Sequence, residues 1–153
     1  MSSNNKALDF TLQDENGQPV ALKDFRGKTV VLFFYPRADT PGCTIEACEF
    51  RDSFSRLRSA GAVLLGISPD VPKDQKKFKD KFQLPYTLLC DPDKKLAQSL
   101  GVLKEKNMYG KKVMGIERST FIIGPDGKIE KEFRKVKPEG HADEILAALK
   151  TKS

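Results

Sequence analysis

Thr29 to Tyr35 reads Thr-Val-Val-Leu-Phe-Phe-Tyr, an unbroken apolar run of β-branched and aromatic side chains. A run of that length and composition predicts a strand buried on both faces. Ala62-Val-Leu-Leu-Gly-Ile67 repeats the pattern and stops at Ser68-Pro69, and Tyr86-Thr-Leu-Leu-Cys90 is a shorter third strand. Near the start, Leu8-Asp-Phe-Thr-Leu12 and Val20-Ala-Leu22 flank Asn16-Gly17, a dipeptide that favours a tight hairpin. Near the end, Glu117 to Ile123 and Lys128 to Phe133 are joined by Gly124-Pro-Asp-Gly127, which predicts a second hairpin.

Between the strands the period changes. Ala47, Phe50, Phe54 and Leu57 fall at helical spacing between Cys43 and Ala60, with Gly61 as the stop. Lys73 to Phe82 reads as a charged helix with Pro72 at its start and Phe78 and Phe82 as its apolar stripe. Lys94 to Leu100 is a short helix capped by Gly101, and a last helix runs from Gly140 to Leu149 with Ile145, Leu146 and Leu149 facing inward. Residues 102–116, rich in lysine and glycine, carry no clear period and read as a long loop of unassigned order. The order of elements predicts an α/β protein: a mixed central sheet, helices on both faces and an N-terminal β-hairpin. No repeat, linker or low-complexity stretch interrupts residues 1–153, which read as one domain.

Composition narrows the classes. The chain has 153 residues, 39% of them hydrophobic and 31% charged, enough to build a core without metal or several disulfides. No apolar run approaches the ~18 residues of a membrane-spanning helix, and Met1-Ser-Ser-Asn-Asn-Lys6 lacks the apolar stretch of a signal peptide. The expected location is therefore the cytoplasm, where thiols stay reduced, with no membrane partner. The net charge of +6 leaves nucleic acid open as a partner. The most basic segment, Lys73 to Lys81, is interrupted by Asp74 and Asp80 and reads as a solvated helix face, and no nucleic-acid motif accompanies it. Three cysteines, an odd number, do not make a disulfide scaffold.

Cys43 stands out by position. It lies where the strand ending at Tyr35 passes through Pro36-Arg-Ala-Asp-Thr-Pro-Gly42 into a helix. Open α/β sheets place their sites at such strand ends, and a helix N-terminus stabilises a thiolate with its unpaired N–H groups and dipole. Thr40 can aim its hydroxyl at the sulfur or at an oxygen bound beside it, and Glu46, in the first helical turn, can hold a basic side chain facing the site. A buried, inert Cys43 with Thr40 as a helix cap accounts for position alone equally well. Cys48 shifts that balance. Five residues on an intact helix mean about 500° of rotation, leaving the two side chains about 140° apart with about 7.5 Å of axial rise. A disulfide needs Cα atoms roughly 4.4–6.8 Å apart. The pair is badly placed as a static staple, and sensible as a transient one whose closure unwinds the helix.

The stretch Phe34-Tyr-Pro-Arg-Ala-Asp-Thr-Pro-Gly-Cys-Thr-Ile-Glu-Ala-Cys-Glu-Phe-Arg51 resembles the peroxiredoxins, specifically the bacterioferritin comigratory protein, or peroxiredoxin Q, subgroup. Pro36, Thr40 and Cys43 match the family's Pro-x-x-x-Thr-x-x-Cys pattern, and Cys48 matches the subgroup's second cysteine. Met108-Tyr-Gly110, Met114-Gly-Ile-Glu-Arg-Ser-Thr-Phe121, Pro125-Asp-Gly127 and Gly140-His-Ala142 extend the resemblance over nearly the whole chain. Leu8 and Cys90 depart from it, standing where proline and serine are usual.

The resemblance implies a thioredoxin-like fold and a thiol peroxidase, with no cofactor and no metal. It makes Cys43 the nucleophile that becomes a sulfenic acid on reacting with hydrogen peroxide or an organic hydroperoxide. It makes Arg118 the cation at the site, with Glu46 orienting Arg118, Thr40 holding the peroxide and Pro36 shielding the sulfur. Cys48 would resolve the sulfenic acid as an intramolecular disulfide that a thioredoxin-type dithiol reduces, in a monomer. Cys90 reads as a half-buried bystander. Two rival readings fare worse. A disulfide reductase wants Cys-x-x-Cys, which is absent, and a copper-binding thiol module wants a nearby ligand, whereas the lone histidine, His141, is expected in solvent at a helix start.

Overall fold

The computed structural model describes residues 8–108 and 110–150. Nine strands and five α-helices are present among them: β1 Thr11–Asp14, β2 Pro19–Ala21, β3 Thr29–Phe34, α1 Pro41–Asp52, α2 Phe54–Ser59, β4 Ala62–Ser68, α3 Pro72–Phe82, β5 Thr87–Cys90, α4 Lys95–Ser99, β6 Leu103–Met108, β7 Lys111–Ile116, β8 Ser119–Ile123, β9 Ile129–Phe133 and α5 His141–Lys150. Seven strands form one sheet in the order β2-β1-β5-β4-β3-β8-β9. β3, β4 and β5 are parallel, and β8 and β9 continue the sheet antiparallel. The N-terminal hairpin closes the other side, with β1 meeting β5 through only two residue pairs, Gln13↔Cys90 and Asp14↔Leu89.

The unbroken apolar run of β3 is explained by two cores. Val31, Phe33 and Tyr35 face α1, α2, α3 and α5, packing with Phe50, Leu57, Phe78 and Ile145. Val30, Leu32 and Phe34 face the opposite side, with Leu96 of α4, Phe121 and Ile116. Side chains alternate across a strand, so a strand covered on both faces reads as continuous hydrophobicity. Gly66, paired with Phe33 in the β3–β4 ladder, has a structural reason. A Cβ there would lie 2.9 Å from the Phe33 ring and from Leu88, a contact that a packed core does not admit.

Three expectations change. Residues 102–116 are no loop: β6 and β7 pair antiparallel from Leu103↔Ile116 to Met108↔Lys111. Among the described residues, the base of this hairpin joins the core through Val102, Leu103 and Ile116, and Lys104, Glu105, Lys111 and Lys112 beyond it are exposed. The helix after Cys43 is interrupted at the buried Ser53, whose φ of −97° and ψ of 1° separate α1 from α2. Finally, β8 begins at Ser119, which leaves Arg118 in the connection from β7. Among the described residues, no helix is long and apolar enough to cross a membrane.

Candidate active site

Tyr35 N–H donates to the Ile67 carbonyl, continuing the β3–β4 ladder one residue past β3, and Pro36, half-buried, then leads the chain out of the sheet. The loop beyond it is tied down from two sides. Ala38 N–H donates to Asp70 Oδ2 at 2.7 Å, and Lys81 pairs with Asp39 at 2.9 Å. Pro41 then occupies the first turn of α1, where its missing N–H costs nothing. These constraints deliver Cys43 into the first turn of α1 with 1% of its surface exposed.

Arg118 arrives from the far side of the sequence. Its Nη2 donates to Cys43 Sγ at 3.5 Å while Nη1 donates to Glu46 Oε1 at 2.7 Å. Gly42 makes room for this approach, since a Cβ there would sit 3.1 Å from Arg118 Nη2. The backbone of Arg118 is held as well, its carbonyl accepting from Val136 N–H. Glu46 is fully buried, and its second oxygen, Oε2, has no hydrogen-bond partner among the described residues. Burial pushes the Glu46 carboxyl up to about 7, against the opposing pull of Arg118. Arg118 remains cationic: burial lowers its basicity, and the charges of Glu46 and Cys43 more than offset that.

Thr40 sits at the N-cap of α1 and does not cap it with its side chain. Its hydroxyl donates to the Arg37 carbonyl at 3.0 Å. With that proton committed, the oxygen is left to accept. Cys48, partly buried, lies on the same helix as Cys43, and all three cysteines are free thiols. Burial pushes the Cys48 thiol up, with Arg51 pulling the other way. The structure thus brings Cys43, Arg118 and Glu46 into contact, and holds Thr40, Pro36 and Cys48 on the connected loop and helix.

Residues 3–132 match the AhpC/TSA family. The peroxiredoxin Bcp of Bacillus subtilis is 49% identical over 148 residues, 97% of this chain and 94% of that protein. Its counterpart in Escherichia coli is 45% identical over 141 residues, 92% of this chain and 90% of the other. The chain belongs to the AhpC/TSA family. It is a peroxiredoxin of the Bcp type, a thiol-dependent peroxidase of thioredoxin-like fold. The bacterioferritin comigratory protein of Xanthomonas campestris, whose trapped-intermediate and ligand complexes concern alkyl peroxide reduction, superposes with a TM-score of 0.88 at 42% identity, covering 93% of this chain and 90% of that one.

Two residues of this peroxiredoxin differ from their sequence reading. His141 is 1% exposed rather than solvated. Its Nε2 shares a hydrogen bond with Thr120 Oγ1 and its Nδ1 with Glu144 Oε1, both at 2.7 Å, and its ring meets Phe50 and Phe133 edge-on. Burial lowers its basicity, which Glu144 partly restores. The missed signal is helical spacing: His141, Ile145 and Leu149 share one face of α5. Cys90 is buried, at 2% exposure, and donates weakly to the Asp14 carbonyl at 3.7 Å. Burial, then the charges of Asp70, Glu15 and Asp14, push its thiol up to about 12. Among the described residues, no group of His, Cys, Asp and Glu side chains is arranged to hold a metal ion.

Proposed function

We propose that Cys43 is the peroxide-reacting thiol of this peroxidase and that Cys48 resolves it. The observation that carries the reading is the Arg118 fork, which reaches Cys43 Sγ with one nitrogen and Glu46 with the other. A planar guanidinium fixed in this way stabilises a thiolate and the negative charge that develops on a peroxide oxygen as its O–O bond breaks. Glu46 holds the fork in register.

The Cys43 thiolate attacks one oxygen of ROOH. An S–O bond forms as the O–O bond breaks: the attacked OH stays on the sulfur, making Cys43 a sulfenic acid, and the departing RO⁻ takes up from solvent the proton released when the thiol ionised and leaves as ROH. Thr40 Oγ1, its own proton given to Arg37, accepts from the peroxide O–H, and Pro36 keeps bulk water from the sulfur. Cys48 then attacks the sulfenic sulfur, forming the disulfide and releasing water. A thioredoxin-type dithiol returns both thiols by exchange. The substrates are hydrogen peroxide and organic hydroperoxides, the working compartment is a reducing one such as the cytoplasm, and a single chain supplies every group named.

Thiol counting under denaturing conditions tests this reading. One equivalent of hydrogen peroxide lowers the titratable thiols from three to one, and peptide mapping locates the bridge between Cys43 and Cys48. Loss of a pair that includes Cys90, or no loss, overturns the assignment.

A further inference from the structure

Cys43 and Cys48 lie on one continuous helix, α1, so the bridge proposed above requires part of that helix to open. The packing sets where opening stops. Phe50 is fully buried, stacked on Phe33 with ring centroids 4.6 Å apart and edge-on to His141 at 5.8 Å. Extracting such a ring would empty a packed site, so α1 opens as far as Glu49 and stays anchored at Phe50.

Two bonds from other elements hold the segment that must move. The Tyr86 hydroxyl, buried just before β5, donates to the Ala47 carbonyl at 2.7 Å. The Glu49 carboxylate accepts from Gly140 N–H, at the start of α5, at 2.9 Å. Ala47 and Glu49 are the immediate neighbours of Cys48 on either side. Burial keeps the Tyr86 phenol protonated and therefore a donor.

We propose that Tyr86 and Glu49 form a latch that holds Cys48 on the folded helix and times the formation of the disulfide. The proposal rests on Cys48 being the resolving thiol. Tyr86 and Glu49 are positioning residues: their bonds go to Ala47 and Gly140 rather than to Cys43 or Arg118, and both bear on the fate of the oxidised sulfur. The Cys43 sulfenic acid has two such fates. Either Cys48 attacks it, making the S–S bond and releasing water, or a second ROOH oxidises it, transferring one oxygen to give the sulfinic acid and ROH. A tighter latch lengthens the life of the sulfenic acid and favours the second fate.

The test compares Tyr86→Phe, Glu49→Ala and Glu49→Gln with the unmodified enzyme in single-turnover reactions. Peroxide loss, thiol-pair loss and the sulfinic fraction under excess peroxide are followed separately. Peroxide loss is expected to stay within about 2-fold, which also certifies a folded site. Disulfide formation is expected to rise about 3- to 10-fold in Tyr86→Phe and Glu49→Ala, the range for one lost hydrogen bond, with the sulfinic fraction falling in step. Glu49→Gln keeps an oxygen that can accept from Gly140 and is expected to behave like the unmodified enzyme. Unchanged disulfide rates in Tyr86→Phe and Glu49→Ala overturn the latch, as does an acceleration in Glu49→Gln equal to that in Glu49→Ala. If no Cys43–Cys48 bridge forms in the unmodified enzyme, the resolving role of Cys48 fails and the latch falls with it, a different result from a bridge that forms at an unaltered rate.

Discussion

Cys43 and Cys90 make a natural comparison. Both are thiols at the carboxyl side of parallel strands, one just beyond β3 and the other closing β5, and they are exposed at 1% and 2%. By burial alone they are indistinguishable. Their neighbours are not. Cys43 meets the Arg118 guanidinium, whereas Cys90 meets a backbone carbonyl and a field of carboxylates from Asp70, Glu15 and Asp14. A thiolate is favoured beside a cation and disfavoured beside anions. On the reading proposed above, the sign of the surrounding charge is what separates the reactive cysteine from the other.

The largest expected break in that comparison comes from removing each sulfur in turn. Cys43→Ser should reduce peroxide consumption to background, a loss of at least about 10³-fold on the scale of a missing nucleophile, while Cys90→Ser should leave the rate within about 2-fold; a stopped-flow assay at several peroxide concentrations decides between them. Next in size is the cation. Arg118→Met should slow Cys43 oxidation by about 10²- to 10³-fold, as for loss of one strong transition-state donor. Arg118→Lys should recover only part of this, since a point charge cannot bond Cys43 and Glu46 as a fork.

Smaller again is an effect on stability. Glu46 ionises near 4.5 in an unfolded chain and near 7 in the folded one. The folded state therefore holds the proton more tightly, and the stability this contributes below about 4.5 is lost as pH rises through about 7. Glu46→Gln removes the titration. Its stability relative to the unmodified protein should rise by roughly 1–3 kcal/mol between about pH 5 and about pH 8, read by urea unfolding at each pH. The smallest effect concerns labelling. At neutral pH iodoacetamide should modify Cys48 in the native, reduced protein well before Cys90, and mass spectrometry of timed digests would show the order.

The buried strands were legible because apolar cover on two faces writes itself into the sequence, as in Thr29 to Tyr35. The β6–β7 hairpin was not, because its ladder is held by backbone bonds and Lys104, Glu105, Lys111 and Lys112 stand exposed along it. Cys43 could be singled out from its strand-to-helix turn. Arg118 could be placed only through the family resemblance, since it lies 75 residues from Cys43 and nothing local marks it. Tyr86 is a harder case still: its hydroxyl bond to Ala47 spans 39 residues and leaves no trace in spacing. His141 was misjudged because a polar residue at a helix start suggests solvent, whereas Thr120 and Glu144 satisfy its ring inside the core.

The seam between the N-terminal hairpin and β5 is short. Only two residue pairs join β1 to β5, and the Glu15 carboxylate supplements them by accepting from Leu88 N–H at 3.1 Å and pairing with Lys79 at 3.4 Å. The same seam seals Cys90 under the Asp14 carbonyl. Were the hairpin to fray, the sheet would gain a raw edge and Cys90 would meet solvent in the same event. Because partial openings of this kind proceed far below the free energy of global unfolding, the slow trapping of Cys90 by a thiol reagent in otherwise native protein becomes a stopwatch for that motion. Cys90, buried under that seam, is a built-in gauge of how firmly the sheet is hemmed.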